Sequence, residues 1–357
     1  MTDASTAPFA ASLLKGSGPA LAAFAAEELL ASHAEMARRY GDKALVLWKQ
    51  NLQSRIEHLA AALSLGKKEL FASHVSWSRI AFQARQVDPA EIRHGLEALQ
   101  RVLDQELPLA AAMVAREYVQ HGITVVSAED GTVATLHLDP KDAKLRLAAS
   151  YLAAVFDGER DRACSILLTA VEKGTSVKDI YRNVLIPVQA EVGRLWHVGE
   201  VGVATEHFTT TTTEHVMARL LPLHPRKASN GKTMVAASVG GNAHSIGLRI
   251  ITDFFAMEGW RPIDLGGDVP RSDLVESLHD FGADLLALSA TLATHLDETR
   301  QVVAAVRADA KVGSIPVIVG GGAFHDIPTL AREIGADGYA LDPDEAVEVG
   351  ERLTAKG

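Results

Sequence analysis

One cysteine, Cys164, occurs in 357 residues. That excludes a disulfide framework within the chain and a cysteine-built zinc site. It fits a reducing, cytoplasmic compartment. Aromatic residues are sparse, at 5%. Basic charge is in deficit: 35 Lys and Arg face 45 Asp and Glu, a formal charge of -10. This argues against direct nucleic-acid binding, which needs a basic face. Long apolar runs are missing as well. Arg, Glu, Asp or Lys interrupts each stretch well short of the roughly 18 residues a membrane span needs. Met1 to Ala11 lacks a basic segment followed by an apolar core, so no signal peptide is expected. What is there is a normal globular share of hydrophobic residues, 47%, and 14 histidines. Histidine is thus the metal ligand present in quantity.

Pattern divides the chain into residues 1–138, 139–223, a polar linker 224–232, and 233–357. The first region reads as successive amphipathic helices. Leu70, His74, Trp77, Ala81 and Ala84 step by four and three and so share a helical face. Asp88 is an expected N-cap with Pro89 at the first helical position. That helix should stop before Pro108, and the next at His121-Gly122. Residues Ile123 to Leu138 read as a short hairpin turning at Asp130-Gly131, or as an extended linker. The second region reads as four short-looped helices ending near Gly158, Gly174, Gly199 and Leu223, with a kink at Pro187. That predicts an antiparallel four-helix bundle. The third alternates buried apolar runs (MVAASV, RPIDLG, ADLLALSA, IPVIVGG, ADGYAL) with amphipathic helices. The expected fold is a doubly wound, five-stranded parallel sheet, making the whole a multidomain α and α/β protein. Ligands of such sheets bind at the carboxyl ends of the strands.

Those ends carry a distinctive set. After strand one comes GGNAHSIG, Gly240 to Gly247. GGDVP, Gly266 to Pro270, follows strand two. Ser289 and Thr291 follow strand three, and Gly320, Gly321 and Gly322 follow strand four. The series Asn242-Ala243-His244-Ser245-Ile246-Gly247, Ser289-Ala290-Thr291, Gly320-Gly321-Gly322 is similar to the Asp-x-His-x-x-Gly, Ser-x-Leu, Gly-Gly pattern of cobalamin-binding domains. The resemblance implies a Rossmann-like cobalamin domain with His244 as lower axial cobalt ligand. The nucleotide tail would then lie buried near Ser289, Thr291 and the glycines. Asn242 departs from the family's acidic residue, which should leave His244 less basic. Thr291 replaces leucine. Without the pattern, His244 would read as an ordinary loop histidine.

Upstream, Trp196-His197 and Glu206-His207 form W-x9-E-H, with Val203 between them. This resembles the signature of CarH-type light sensors, and the likeness runs from about Asp139 to Gly357. It implies a bundle that caps the upper face of adenosylcobalamin. Trp196 would supply a flat wall for the adenosyl group. Glu206 would accept hydrogen bonds from it, and His207 would bond the ribose or move a proton. Light would break the cobalt–carbon bond, and His197 would become the new upper ligand. Bland readings stand beside these. Trp196 can close the bundle core, and Glu206 suits a helix N-terminus.

No basic helix-turn-helix or effector motif precedes the bundle. The His74 and Trp77 face resembles the helical input domain of photocobilins, which implies a biliverdin chromophore near His74. A dimerisation or spacer domain with a core histidine is the alternative. Cys164 lies in an amphipathic bundle helix and reads as a small core residue rather than a bilin attachment point. The expected function is therefore an adenosylcobalamin photoreceptor, not an enzyme, with a downstream regulatory or effector partner and homo-oligomerisation in view. The alternatives are a corrinoid carrier in methyl transfer and a light-independent cobalamin sensor.

Overall fold

The structure, a computed structural model, describes residues 5–128, 138, 145–225 and 227–355. The chain forms two compact units, residues 1–133 and 134–357. The first unit holds α1 (Thr6–Ser32), α2 (Ala34–Tyr40), α3 (Ala44–Leu65), α4 (Lys68–Ala84), α5 (Ala90–Glu106) and α6 (Leu109–Ser127). By length and composition α1 could cross a membrane. Here its stripe Ala10, Leu14, Leu21, Ala25 and Leu29 is buried within the unit, and the helix packs along α3. The stripe is rich in alanine, which lets the two backbones approach closely. Helix α3 stops at Gly66, whose φ of 65° suits glycine; its N–H returns to the carbonyls of Ala62 and Leu63. Helix α5 starts one residue later than expected, with Pro89 rather than Asp88 at its N-cap; Asp88 still contributes from the turn before it, its Oδ1 accepting from the Ala90 N–H at 2.9 Å.

The expected stop at Gly122 and the strand after it are not found. Helix α6 continues through Ile123-Thr124-Val125-Val126 to Ser127. The rest of the expected hairpin lies outside the described residues, apart from Ala128 and Leu138. A Cβ on Gly122 would meet Phe71 at 2.9 Å. Such overpacking costs about 1–3 kcal/mol, against about 1 kcal/mol for glycine in a helix. Close packing therefore outweighs propensity. Val126 is buried one turn further along, so burial also overrides the β-branched preference for strands.

The second unit begins with the expected bundle: α7 (Arg146–Phe156), α8 (Arg160–Glu172), α9 (Val177–Ile180), α10 (Ile186–Val198) and α11 (Val203–Leu220). A π-helical turn, Tyr181–Leu185, joins α9 to α10, so the distortion sits just before Pro187, which occupies the first turn of α10. The sheet contains β1 (Thr233–Ser238), β2 (Arg261–Asp264), β3 (Leu285–Ser289), β4 (Val317–Gly320) and β5 (Gly338–Tyr339). The strands are parallel, in the order β2-β1-β3-β4-β5. Between and after them run α12 (Ile246–Met257), α13 (Arg271–Phe281), α14 (Leu296–Ala308), α15 (Leu330–Glu333) and α16 (Pro343–Thr354). Every residue of β1 is buried, as a strand covered on both faces requires.

Bundle and sheet share one apolar core, in which Tyr181, Leu185 and Met217 join Phe254, Phe255 and Met234. Polar contacts rim it. Arg182 donates to both carboxylate oxygens of Asp344, at 2.6 and 2.5 Å. Lys178 donates to Glu258 at 2.6 Å, and the Tyr181 hydroxyl donates to Asp253 at 2.7 Å. Burial pushes the Asp253 carboxyl up to about 6.

Candidate functional site

The winding of the sheet reverses between β1 and β3, which opens a crevice at their carboxyl ends. Asn242 bridges it. Its side chain is wholly buried, and its Nδ2 donates to the Ser289 carbonyl at 3.1 Å. A backbone carbonyl only accepts, so this bond fixes which end of the amide faces β3. The Oδ1 end is left for His244. It accepts from the His244 backbone N–H at 3.2 Å and meets the ring Nδ1 at 3.0 Å. An amide oxygen only accepts, so Nδ1 carries a proton, and Nε2 is the ring nitrogen left for a metal. The residue is exposed. The result is an oriented imidazole whose neutral form would ligate through Nε2. The Ser238 hydroxyl donates to the His244 carbonyl at 2.7 Å and secures the backbone.

The GGDVP loop proves to be a strut for this segment. Asp268 Oδ1 accepts from the Gly241 N–H at 2.7 Å, and the Asp268 N–H donates to the Asn242 carbonyl at 2.9 Å. Asp268 has a φ of 56°, an uncommon conformation held here by the two bonds. A Cβ on Gly267 would lie 3.0 Å from the carbonyl oxygens of Asn242 and Ala243, so glycine permits the loops to meet.

The loop that carries His244 runs on to Gly247, which lines a mainly apolar cavity of about 270 Å³. Gly247, Ile251, Ser289 and Gly320 to Gly322 line it, with Ile186 reaching in from the bundle. These glycines differ in cause. Gly321 has a φ of 97°, and a Cβ there would lie 2.4 Å from the Ala290 carbonyl, so the fold demands glycine. A Cβ on Gly320 would lie 3.1 Å from the Ala340 carbonyl, and one on Gly322 3.0 Å from that of Thr291. Around Gly247 there is nothing within 4 Å and φ is ordinary. Gly247 thus leaves open a wall the fold could have filled. Ser245 and Ile246 open α12 next to it, half-buried. An oriented imidazole on the loop that leads into an apolar, glycine-walled cavity fits a corrinoid. Among the described residues no three His, Cys, Asp or Glu side chains converge, so a metal here would arrive with ligands of its own.

The upstream motif gathers at the turn from α10 to α11. Gly199, with a φ of 80°, ends α10. Trp196 is 45% exposed and Val203 54%. Trp196 therefore does not close the bundle core. His197, by contrast, is buried. Glu206 and His207 open α11; the Thr210 hydroxyl donates to Glu206 at 2.9 Å, and His207 is largely exposed. Thr209, Thr212 and Thr213 face the bundle interior, where Tyr151 and Gln189 meet the Thr213 hydroxyl at 3.0 and 2.8 Å. Ile186 and Trp196 lie on one helix, about 15 Å apart along its axis at 1.5 Å per residue. Ile186 and His325, both at the cavity, are not singled out from the sequence, and Gly267 and Asp268 are named there only as part of the GGDVP loop, with no role. The GGDVP glycines were the one available signal.

Residues 147–221 match the model of one B12 binding domain and residues 232–348 that of another. A corrinoid protein of Desulfitobacterium hafniense is 29% identical over 208 residues, 57% of this chain and 95% of that protein. Dimethylamine corrinoid protein 3 of Methanosarcina mazei is 30% identical over 138 residues, 38% of this chain and 81% of that protein. In fold, the chain is similar to the monomethylamine corrinoid protein of Methanosarcina barkeri, with a TM-score of 0.52 and 22% identity over 59% of this chain and 100% of the other.

Proposed function

The chain belongs to the B12-binding corrinoid proteins, and on that premise we propose that it carries an alkyl group on a bound cobalamin, with His244 as the residue that would hold the metal. The observation behind this is the His244 ring, committed through Nδ1 to Asn242 at 3.0 Å, with Nε2 unbonded among the described residues. Bound cobalamin supplies a cobalt atom that holds and releases an alkyl group. Asn242 orients the ring through the Nδ1 contact. Ser245, Ile246, Gly247, Ser289, Thr291 and the Gly320 to Gly322 turn would enclose the nucleotide tail and exclude water.

The curated relatives support a carrier in methyl transfer, serving a methyltransferase partner. They include corrinoid proteins named for dimethylamine, and they lend light sensing no such support. A second reading, the adenosylcobalamin light sensor, rests on the half-exposed Trp196 and Val203 and the partly exposed Glu206 at the turn from α10 to α11. A flat apolar side chain and a carboxylate suit an adenosyl group better than a methyl group. His197, being buried, could serve as an upper cobalt ligand only if the last turn of α10 rotated. Biliverdin binding near His74 belongs to this second reading.

Loading the purified chain in darkness with methylcobalamin or adenosylcobalamin, then recording absorption before and after green light, separates the readings. Retention of methylcobalamin with methyl transfer to an added thiol supports the carrier. Selective retention of adenosylcobalamin and a protein-dependent spectral change in light support the sensor. Failure to retain either form overturns both.

A further inference from the structure

The N-terminal unit exposes a whole helical turn of apolar residues. Leu45, Val46 and Leu47 open α3 and are between 43% and 58% exposed. The residues on either side, Ala44 and Trp48, are buried. One exposed leucine needs no explanation, but three in a row mark a contact surface. Lys43 and Lys49 bracket the turn; both are exposed, and neither has an ion-pair partner among the described residues. Arg38, exposed on α2, adds to this charge, and Asp42 offsets part of it. The same unit carries a surface of opposite sign. Helix α1 packs along both α3 and α5, and against α5 it leaves an open groove of about 420 Å³ whose lining includes Phe24, Glu27, Glu28, Val102 and Glu106. Phe24 is half-exposed. Glu28 is answered by Arg101; Glu27 and Glu106 are exposed and have no ion-pair partner among the described residues. Leu109, soon after Glu106 in the chain, and Met113, one turn on, are exposed as well.

We propose that the first turn of α3 in one copy seats in the α1–α5 groove of a second copy, with Lys43 and Lys49 against Glu27 and Glu106 of that copy. Each copy offers both surfaces, so a two-fold pair makes the contact twice. The occupant is this chain itself because the two surfaces complement each other in both respects, apolar against apolar and lysine against carboxylate. An anionic membrane would suit the lysine-flanked turn alone and leave the acidic groove without a role. The chain carries a formal charge of -10, so its copies repel in general, and association depends on local complementarity of this kind. The role is independent of the cobalamin site.

Sedimentation velocity of the full-length, cobalamin-loaded chain over a range of protein concentrations tests this. The expected result is a concentration-dependent dimer that weakens as salt rises. Lys43→Glu with Lys49→Glu, or Glu27→Lys with Glu106→Lys, should each raise the dimer Kd at least about tenfold, because attraction becomes repulsion at every pair. Mixing the two variants should restore dimers of near wild-type affinity, since each then offers the other a complementary surface at both contacts. Recovery in the mixture also shows that both variants are folded. A wild-type chain that stays monomeric overturns the proposal; if that monomer pelleted with phosphatidylglycerol vesicles, the apolar turn would be a membrane contact instead. A dimer that neither salt nor the reversals move forms elsewhere and overturns it too, as does a mixture that stays monomeric. The wild-type and salt measurements need no variant, so they decide the matter even if a reversal fails to fold.

Discussion

Asn242 and Arg55 are both polar, both almost wholly removed from water, and wired in opposite ways. Asn242 uses both ends of its amide and joins two strand ends to one imidazole. Arg55 bonds through Nε and leaves the rest of its fork unused. A fully satisfied buried group fixes geometry; a half-satisfied one carries an uncompensated cost. The Rossmann-like part thus presents an imidazole held in one orientation. The helical unit leaves part of a buried charge unmatched among the described residues.

The contrast can be sharpened or broken at the sheet. His244→Ala should lower cobalamin affinity by at least about 100-fold, the upper end for losing even an outer-shell partner, and abolish nitrogen superhyperfine structure in the electron paramagnetic resonance spectrum of the reduced holoprotein. Unchanged spectra would remove His244 as ligand. Gly321→Ala should destabilise the fold by about 3 kcal/mol or more, because a Gly-only backbone and a carbonyl collision act together; urea denaturation of the apoprotein reads this. Asn242→Ala should reduce cobalamin affinity about 10- to 100-fold and stability by about 1–3 kcal/mol, since it orphans the Ser289 carbonyl and the His244 ring together. If affinity holds, the amide is mere packing.

Asp253 is an intermediate case, bonded by Tyr181 yet raised by burial. With its folded pKa near 6, above an unfolded value of about 4, the folded state binds the extra proton between the two. Its contribution to stability is therefore complete below about pH 4 and lost as pH rises through 6. Asp253→Asn should flatten the stability profile across that window and raise stability at pH 7; a profile that still falls with rising pH assigns the effect elsewhere. The smallest effect is expected from Gly247→Ala, which should leave apoprotein stability unchanged or raise it by up to about 1 kcal/mol, yet weaken cobalamin binding if a ring rests on that wall.

The two halves were unequally legible. Buried parallel strands are continuous apolar runs, so β1, β3 and β4 stand out, and with them the loop that carries His244. The bundle helices follow from period and glycine stops. Illegible features depend on distant partners. Gly122 reads as a stop until Phe71 is seen against it. Arg55 carries no mark in the sequence, because its burial arises from packing among helices rather than from its neighbours along the chain. The Asn242 bond to Ser289 joins residues 47 positions apart and leaves no local trace. W-x9-E-H was visible as a pattern, but the burial of His197 beside the exposed Trp196 was not.

The π-helical turn at Tyr181–Leu185 has a consequence for chain register. A π-turn holds one residue more than a continuous α-helix would need, so the segment from α9 to α10 stores one unit of slack. Deleting Asn183, which is exposed, should let that slack close into regular helix while Trp196 and His197 keep their facing. The same deletion made beyond Pro187 has no reserve to draw on, and would turn everything after it by about 100°.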